Sequence, residues 1–153
     1  MTDGIDRRGF MTIAGLGAAA LIPPAAASGA QATATEQANE RLVNAFCAAW
    51  ASRDLDRILA YVADDNVYRM TETTPPATGH AGIRERLGQW VKESDSIEFK
   101  VLDSWTKGPM VVNHRIDTFA SKVRPLTWEG VGVFFVKDGK IREWHDYTIR
   151  VTR

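Results

Sequence analysis

The chain has 153 residues, 44% of them apolar, and its 19 lysines and arginines balance its 19 aspartates and glutamates. This length and composition predict one globular domain with its own hydrophobic core. The absence of net charge excludes the basic excess with which nucleic-acid and anionic-membrane binders collect phosphates. Cys47 is the only cysteine, which excludes an intrachain disulfide and a thiolate metal centre. A small neutral molecule is therefore the expected partner.

Residues 1–32 have the pattern of a secretory signal followed by a linker of small residues. Arg7-Arg8 precedes an apolar run that ends at Ile22, and an Ala/Ser-rich stretch follows. The run is shorter than the ~20 apolar residues needed to span a bilayer. The paired arginines resemble the twin-arginine signal of bacteria, and cleavage after Ala27 or Ala32 satisfies the small-residue rule. We expect a periplasmic or secreted protein whose mature form is not in the membrane; an uncleaved anchor or disordered tail is the alternative.

Residues 36–153 form the predicted domain, which begins with two helices. Apolar residues recur every three or four positions from Glu36 to Trp50, which is the spacing of one face of an amphipathic helix. A second, shorter helix is predicted from the N-cap Asp54 to Val62. The polar cluster Asp64-Asp65-Asn66 predicts a turn, and a short strand is expected over Val67–Thr71.

One more helix and four strands are predicted for the remainder of the chain. A loop with Pro75-Pro76 and Gly79 precedes the helix, whose apolar residues are Ile83, Leu87, Trp90 and Val91. The strands cover residues 97–101, 111–119, 126–136 and 141–151, and an Asp138-Gly139 turn joins the last two. This order predicts an α+β fold, in which three helices pack on one face of a curved, mostly antiparallel sheet and enclose a cone-shaped pocket.

Strand periodicity predicts which polar side chains share that pocket, because residues two apart in a strand face the same way. Three such faces consist of Val111, Asn113, Arg115, Asp117 and Phe119; of Arg142, Trp144, Asp146, Thr148 and Arg150; and of Tyr68, Met70 and Glu72. If Phe119 and Trp144 point into the cone, the polar residues on their faces point there too.

The charges of the central residues predict an unusual protonation state. Two carboxylates, Asp117 and Asp146, with one guanidinium, Arg115, would leave a net charge of minus one in a site of low dielectric constant, which is costly. Retaining one proton removes that cost, so that one aspartate is a neutral acid while the other, held ionised by Arg115, is a base. The alternative is a structural ion pair between neighbouring strands.

Six short segments of the domain form a recognisable set. They are Asp65–Tyr68, Pro75–Gly79, Arg115–Asp117, Gly132–Phe134, Gly139–Ile141 and Trp144–Tyr147. Together they resemble the limonene-1,2-epoxide hydrolase family, whose cone-shaped fold is shared with SnoaL-like proteins, ketosteroid isomerases and nuclear transport factor 2. The similarity extends from about Glu36 to Arg150.

The resemblance implies one-step hydrolysis of an apolar epoxide to a vicinal diol, without a metal or organic cofactor. Asp146 matches the base that takes a proton from water, and Asp117 matches the acid that protonates the epoxide oxygen. Arg115 matches the arginine that bridges both, and Tyr68 matches a tyrosine that helps to hold the water. The expected substrate-binding residues are Met70, Phe119, Trp144 and Asn113. A homodimer formed through the outer face of the sheet is also implied.

Met70 departs from the family pattern, which usually has an asparagine two residues after the tyrosine to hold the water. A thioether is a poor hydrogen-bond partner, so Glu72, Asn113 or a further water would have to substitute for it. Otherwise the pocket serves another reaction. The alternatives are a SnoaL-like cyclase, isomerase or dehydratase that uses the same aspartates, and a non-catalytic carrier of an apolar ligand. The base of an isomerase would fall at Met70, which disfavours that activity.

Overall fold

Six strands and three α-helices form residues 32–153, the part of the chain that the computed structural model describes. The helices are α1 (Ala34–Ala49), α2 (Leu55–Leu59) and α3 (Gly79–Glu93), and a 3-10 turn at Trp50–Ser52 follows α1. The strands are β1 (Val62–Arg69), β2 (Ala77–Thr78), β3 (Ser96–Lys107), β4 (Met110–Ala120), β5 (Leu126–Lys137) and β6 (Lys140–Thr152). The predicted signal, up to residue 31, lies outside the described residues.

The strands form one sheet in the order β2-β1-β6-β5-β4-β3. All neighbours are antiparallel except β1 and β6, which pair in parallel although they lie at opposite ends of the domain sequence. The predicted α+β fold, a curved and mostly antiparallel sheet with three helices, is confirmed. No helix within residues 32–153 is long and apolar enough to cross a membrane.

Helix α1 begins with a capping box. The Thr33 hydroxyl accepts the N–H of Glu36 at 3.2 Å, and the Glu36 carboxylate accepts the N–H of Thr33 at 2.8 Å. The second oxygen of Glu36 accepts the N–H of Gly108 in the β3–β4 turn at 2.8 Å, which ties the helix to the sheet. These hydrogen bonds lower the pKa of Glu36 to about 2, and the bond from Gly108 contributes most.

The core lies between α1 and the concave face of the sheet and is rich in aromatic rings. Phe46 of α1 packs edge-on against Trp50, Phe134 and Trp144, with ring centroids 5.0 to 6.1 Å apart. All four side chains are fully or almost fully buried. Phe134 and Trp144 are therefore on the inner face of the sheet. The residues that alternate with them along β5 and along the middle of β6 face the same way.

Two predictions for the segment before α3 are wrong. Helix α2 ends at Leu59 rather than Val62, and Asp64-Asp65-Asn66 lies inside β1 rather than in a turn. The pairing of β1 with β6 is irregular between Val62 and Val67. Asn66 is buried there, and its Nδ2 donates to the carbonyl of Ile141 at 3.0 Å. A polar cluster typical of a turn thus occupies a strand because β6 supplies its partners.

The predicted inner face of the last strand is correct only in its middle. The register of β6 against β5 shifts twice, once between Ile141 and Glu143 and once between Thr148 and Arg150. Each bulge reverses the alternation of side chains. Arg142 therefore contacts Asp65 and is half-buried, while Arg150 contacts Glu129 and is exposed; neither lies in the pocket.

Candidate active site

A cavity of about 160 Å³ opens between the helices and the concave face of the sheet. Most of its wall is apolar and consists of Trp50, Met70, Leu87, Trp90, Phe99, Phe119, Leu126, Trp128, Trp144 and Val151. The polar side chains at its surface are Tyr68, Thr71, Asp117, Asp146, Thr148 and Arg153. A largely apolar cavity with a few converging polar groups is typical of a site for a small organic ligand.

One buried guanidinium bridges the two carboxyl groups of this cavity. Arg115 is fully buried, and its Nε donates to both carboxylate oxygens of Asp117 at 3.0 and 3.1 Å. Its Nη2 donates to Oδ1 of Asp146 at 2.7 Å, and its Nη1 donates to Oδ1 of Asn113 at 3.1 Å. Arg115 therefore holds all three groups in fixed positions.

A glycine on the intervening strand makes this bridge possible. Arg115 lies on β4 and Asp146 on β6, so the guanidinium must pass over β5. Gly132 of β5 is paired with Asn113 on one side and with Asp146 on the other. A Cβ atom at Gly132 would lie 2.0 Å from Nη1 of Arg115. Any other residue at this position would occupy the space of the guanidinium.

Aromatic rings surround the charge of Arg115. Its guanidinium carbon lies 4.9 Å from the centre of the Trp128 ring, 5.4 Å from that of Phe99 and 5.7 Å from that of Phe134. Rings at these distances attract a cation through their π faces and exclude water from it. The Trp128 ring is itself fixed, because its Nε1 donates to the hydroxyl of Thr148 at 3.0 Å.

The environment shifts the protonation of the whole cluster. Burial alone lowers the pKa of Arg115, but the adjacent Asp117 and Asp146 raise it above its ordinary value, so the guanidinium stays charged. Burial raises the pKa of Asp117 to about 7, partly opposed by the attraction of Arg115. Burial also raises the pKa of Asp146. The cluster therefore retains a proton at a pH where exposed carboxyl groups have lost theirs.

The hydrogen bonds indicate which aspartate holds that proton. Oδ1 of Asp146 accepts two N–H groups, from Arg115 at 2.7 Å and from Nε1 of Trp144 at 2.9 Å. Among residues 32–153, Asp117 accepts only one N–H, which its two oxygens share. Hydrogen bonds to a carboxylate favour its ionised form. These donors therefore favour the ionised form of Asp146 more than that of Asp117.

Tyr68 lies at the same cavity on β1. Its ring stacks on that of Trp144 with centroids 3.9 Å apart, and it is almost completely buried. Burial, and next the negative charge of Asp146, raise the pKa of Tyr68 well above its ordinary value. The phenol therefore stays protonated and is available as a hydrogen-bond donor in the cavity.

Two residues predicted to face the ligand do not reach it, whereas Met70, Phe119 and Trp144 do line the cavity. Asn113 is fully buried behind Arg115, and its Nδ2 contacts the sulfur of Cys47 at 3.5 Å. Asn113 does not line the cavity, and its Oδ1 accepts a hydrogen bond from Arg115 instead. Glu72 is exposed, and its carboxylate accepts the N–H of Thr148 at 2.7 Å.

The two histidines of strands β4 and β6 lie on the face of the sheet away from the cavity, as their position in the alternation predicts. His114 contacts Glu129 at 3.2 Å, and His145 contacts Glu143 at 3.0 Å. No three His, Cys, Asp or Glu side chains within residues 32–153 are grouped so that they could hold a metal ion. Burial raises the pKa of the Cys47 thiol to about 11, which leaves it unreactive.

Trp128 and Gly132 are site residues that the sequence reasoning missed. They belong to the alternating series Trp128, Gly130, Gly132 and Phe134, which occupies one face of β5. Large and small residues in alternation on an inner face indicate that a side chain from a neighbouring strand needs the space. This pattern could have identified β5 as the strand over which Arg115 passes.

The family model of SnoaL-like domains matches residues 43–144, which is more than half of the chain. An LEH-like epoxide hydrolase from M. tuberculosis is 26% identical to this chain, with a TM-score of 0.64 over 74% of this chain and 84% of that one. Bal32a from a soil-derived mobile gene cassette is 15% identical, with a TM-score of 0.64 over 75% and 92%. TerC, co-crystallised with polyporic acid, is 21% identical, with a TM-score of 0.61 over 72% and 91%. The last two similarities concern the fold alone.

Proposed function

This chain belongs to the family of SnoaL-like domains, and we propose that it is an epoxide hydrolase that adds water to an apolar epoxide to give a vicinal diol. One observation carries the proposal: two buried carboxyl groups, Asp117 and Asp146, are bridged by Arg115 at an apolar cavity. The similarity to the LEH-like epoxide hydrolase supports it.

The proposed reaction needs one base and one acid acting together. Asp146 accepts a proton from a water molecule, and the oxygen of that water forms a bond to one epoxide carbon. The carbon–oxygen bond of the ring breaks, and the ring oxygen takes the proton of Asp117. Paired acid and base help of this kind typically contributes 10²- to 10⁴-fold in rate each. We assign to Tyr68, which lines the same cavity, the role of holding the attacking water.

The step leaves the two carboxyl groups with their protons exchanged. Asp146 is then neutral and Asp117 is ionised, while Arg115 still donates to both. The net charge of the cluster is the same before and after the step, so its buried environment opposes neither state. Return of the proton from Asp146 to Asp117, through water in the cavity, completes the cycle.

The size of the cavity restricts the substrate. A dry cavity of ~150 Å³ accommodates a benzene molecule, and the cavity here has about 160 Å³. The two aspartates and Tyr68 are among the few polar groups at its surface. We therefore propose a substrate with a single small ring or a short chain, bearing the epoxide at one end and apolar groups elsewhere.

Met70 is the observation that favours a second candidate. It lies at the cavity wall, where a thioether cannot hold the attacking water as an amide would. A reaction without water, such as the cyclisation or isomerisation of an apolar substrate, would use the same acid and base. A carrier of an apolar ligand without turnover is the non-enzymatic alternative.

The test is a panel of small epoxides in isotopically labelled water. We expect the label in a diol product, with Asp146→Asn and Asp117→Asn each lowering kcat by about 10³-fold, within the range typical of acid and base groups. Glu129→Gln is the matched control, because Glu129 also binds an arginine but on the outer face of the sheet.

Three other results would contradict the proposal in different ways. A product without the label would indicate cyclisation or isomerisation. A ligand retained through purification, with no turnover of any epoxide, would indicate a carrier. Wild-type rates in both aspartate variants would exclude the paired carboxyl groups as the acid and base.

We also propose that the outer face of the sheet pairs with a second copy of the chain. Trp105, Tyr147 and Ile149 are exposed large apolar residues of strands β3 and β6, and Val112, Val131 and Val133 lie between those strands on the same face. Exposed apolar patches of this kind mark contact surfaces. Light scattering should give a dimer for the wild type and a monomer for Tyr147→Glu; a monomeric wild type would refute the pairing.

Export remains a proposal from the sequence alone. The Arg7-Arg8 pair and the apolar run that follows predict a periplasmic or secreted protein. Replacing both arginines by lysine should leave the full chain in the cytoplasm, as measured by fractionation. Unchanged export of that variant would exclude the twin-arginine route.

A further inference from the structure

The two oxygens of Asp146 are not equivalent. Oδ1 accepts the N–H groups of Arg115 and Trp144 at 2.7 and 2.9 Å. Oδ2 accepts no hydrogen bond from any of residues 32–153, and it is not sealed from the cavity that Asp146 lines. One oxygen is therefore held by the protein, and the other is left for a ligand or a water molecule.

Packing on both faces fixes the direction of the Trp144 indole. Its ring stacks on Tyr68 at 3.9 Å on one side and lies nearly parallel to Phe134 at 6.3 Å, while Phe46 packs edge-on at 5.0 Å. The side chain is 1% exposed. Because the ring cannot turn, its N–H can donate in one direction only, and the acceptor in that direction is Oδ1 of Asp146.

We propose that Trp144 is a positioning residue that selects Oδ2 of Asp146 as the basic atom and holds Tyr68 beside it. A carboxylate held by Arg115 alone could turn about its last bond and present either oxygen. The second donor removes that freedom, and the stacked ring places Tyr68 next to the carboxyl group. The assignment of Oδ2 as a base rests on the proposed function, whereas the hold on Asp146 does not.

The hydrogen bond from Trp144 also affects the charge on Asp146. Loss of a donor to the ionised form should raise the pKa of this carboxyl group. The other groups that act on it are Arg115 and Asp117 of β4, Tyr68 of β1, Cys47 of α1 and His145 of its own strand. All of them remain when only the indole N–H is removed.

Trp144→Phe tests the inference, because it keeps an aromatic ring and removes the N–H. The Asp146 carboxyl carbon, labelled with ¹³C and assigned with Asp146→Asn, should titrate at a higher pH than in the wild type. With a substrate available, kcat should fall about ten- to a hundredfold, the usual effect of one hydrogen bond to a charged group, and KM should change less.

Trp50→Phe is the matched control. Trp50 lines the same cavity and stacks on Phe99 at 4.5 Å, but its Nε1 has no hydrogen-bond partner among residues 32–153. The substitution removes an indole of the same size, so its effect on ligand binding measures the loss of ring area. The titration of Asp146 should stay where it is in the wild type.

A measurement on the unaltered protein covers the case in which Trp144→Phe does not fold. The ¹H resonance of the Trp144 indole N–H should follow the ionisation of Asp146 with pH, and this dependence should disappear in Asp146→Asn. The inference is wrong if the resonance does not change when Asp146 ionises. It is also wrong if Asp146 titrates identically in Trp144→Phe and the wild type. Failure of every epoxide to react would contradict the proposed function alone, because neither resonance experiment needs a substrate.

Discussion

Strands β4, β5 and β6 carry one cluster of acidic and basic residues on each face of the sheet. On the inner face, Arg115 bridges Asp117 and Asp146. On the outer face, Glu129 accepts hydrogen bonds from His114 and from Arg150. Both clusters join carboxyl groups to cationic side chains across neighbouring strands, but the inner one has two carboxyl groups for one arginine and the outer one has a single carboxyl group for an arginine and a histidine.

Exposure to water distinguishes the two clusters. The inner carboxyl groups are at most 7% exposed, and their pKa values are raised, that of Asp117 to about 7, mainly by burial. The pKa of Glu129 is lowered, first by the hydrogen bond from His114 and then by that from Arg150, whose side chain is 71% exposed. The pKa shifts thus have opposite directions. They are upward in the buried inner cluster, which retains a proton, and downward in the outer ion pair, which reaches solvent.

Replacing the arginine of each cluster should give the largest contrast. Arg115→Met leaves two buried carboxyl groups without their shared cation, and loss of one partner from a buried ion pair costs about 3–5 kcal/mol. Arg150→Met removes an exposed partner and should cost at most about 1 kcal/mol. Urea unfolding at pH 8 measures both. Equal losses would mean that the inner cluster is as well solvated as the outer one.

Gly132→Ala should disturb the inner cluster without changing any charge. The added Cβ would lie 2.0 Å from Nη1 of Arg115 and 2.7 Å from the Phe134 ring. Such overpacking typically costs about 1–3 kcal/mol, and the displaced guanidinium should lower epoxide turnover. The control is Gly88→Ala in α3, where the nearest atom is 3.9 Å away. A Gly132→Ala protein with wild-type stability and activity would contradict the assigned path of Arg115 over β5.

The stored proton should appear in the dependence of stability on pH. Asp117 has an ordinary pKa of 3.8 and a pKa of about 7 in the folded chain. Between these values the folded chain holds a proton that the unfolded chain has lost, so stability should fall as the pH rises from about 4 to 7 and then level off. Asp117→Asn should lack this contribution, as urea unfolding at several pH values would measure. Identical pH dependence in both proteins would place the proton elsewhere.

Glu129→Gln should have the smallest effect and the opposite sign with pH. Because the pKa of Glu129 is lowered, its contribution to stability is present near neutral pH and is lost on acidification. Its partner Arg150 is largely exposed, so the loss should be no more than about 1 kcal/mol, as unfolding at pH 7 would measure. Activity should be unchanged. A large loss of turnover would mean that the outer face takes part in the reaction.

The inner face of β4 could be predicted because this strand pairs regularly with β5 from Met110 to Phe119. Alternation then places Arg115 and Asp117 on one side without ambiguity. In the structure Asp117 lines the same cavity as Tyr68 and Asp146, and Arg115 lies directly behind it. Their shared faces predict this arrangement. The catalytic roles of these residues stay predictions.

Neither the β-bulges nor the depth at which a side chain is buried could be predicted from the sequence. The two register shifts in β6 reverse the faces of Arg142 and Arg150, and nothing local to those residues marks them. Asn113 is on the predicted face but too deep to meet a ligand, because a side chain as long as Arg115 folds over it. Asn66 is buried only because the last strand passes beside it. Each of these depends on contacts between distant segments.

The parallel pairing of β1 with β6 decides when the site comes into existence during folding. Tyr68 lies on the first strand of the sheet and Asp146 on the last, and the buried Asn66–Ile141 hydrogen bond joins residues 75 positions apart. Contacts of such long range are slow to form, and during synthesis β6 is the last strand of this sheet to emerge. A nascent chain that stops before β6 has Arg115 and Asp117 but lacks Asp146. The hydrogen bond from Arg115 to Asp146 would therefore report completion of the sheet.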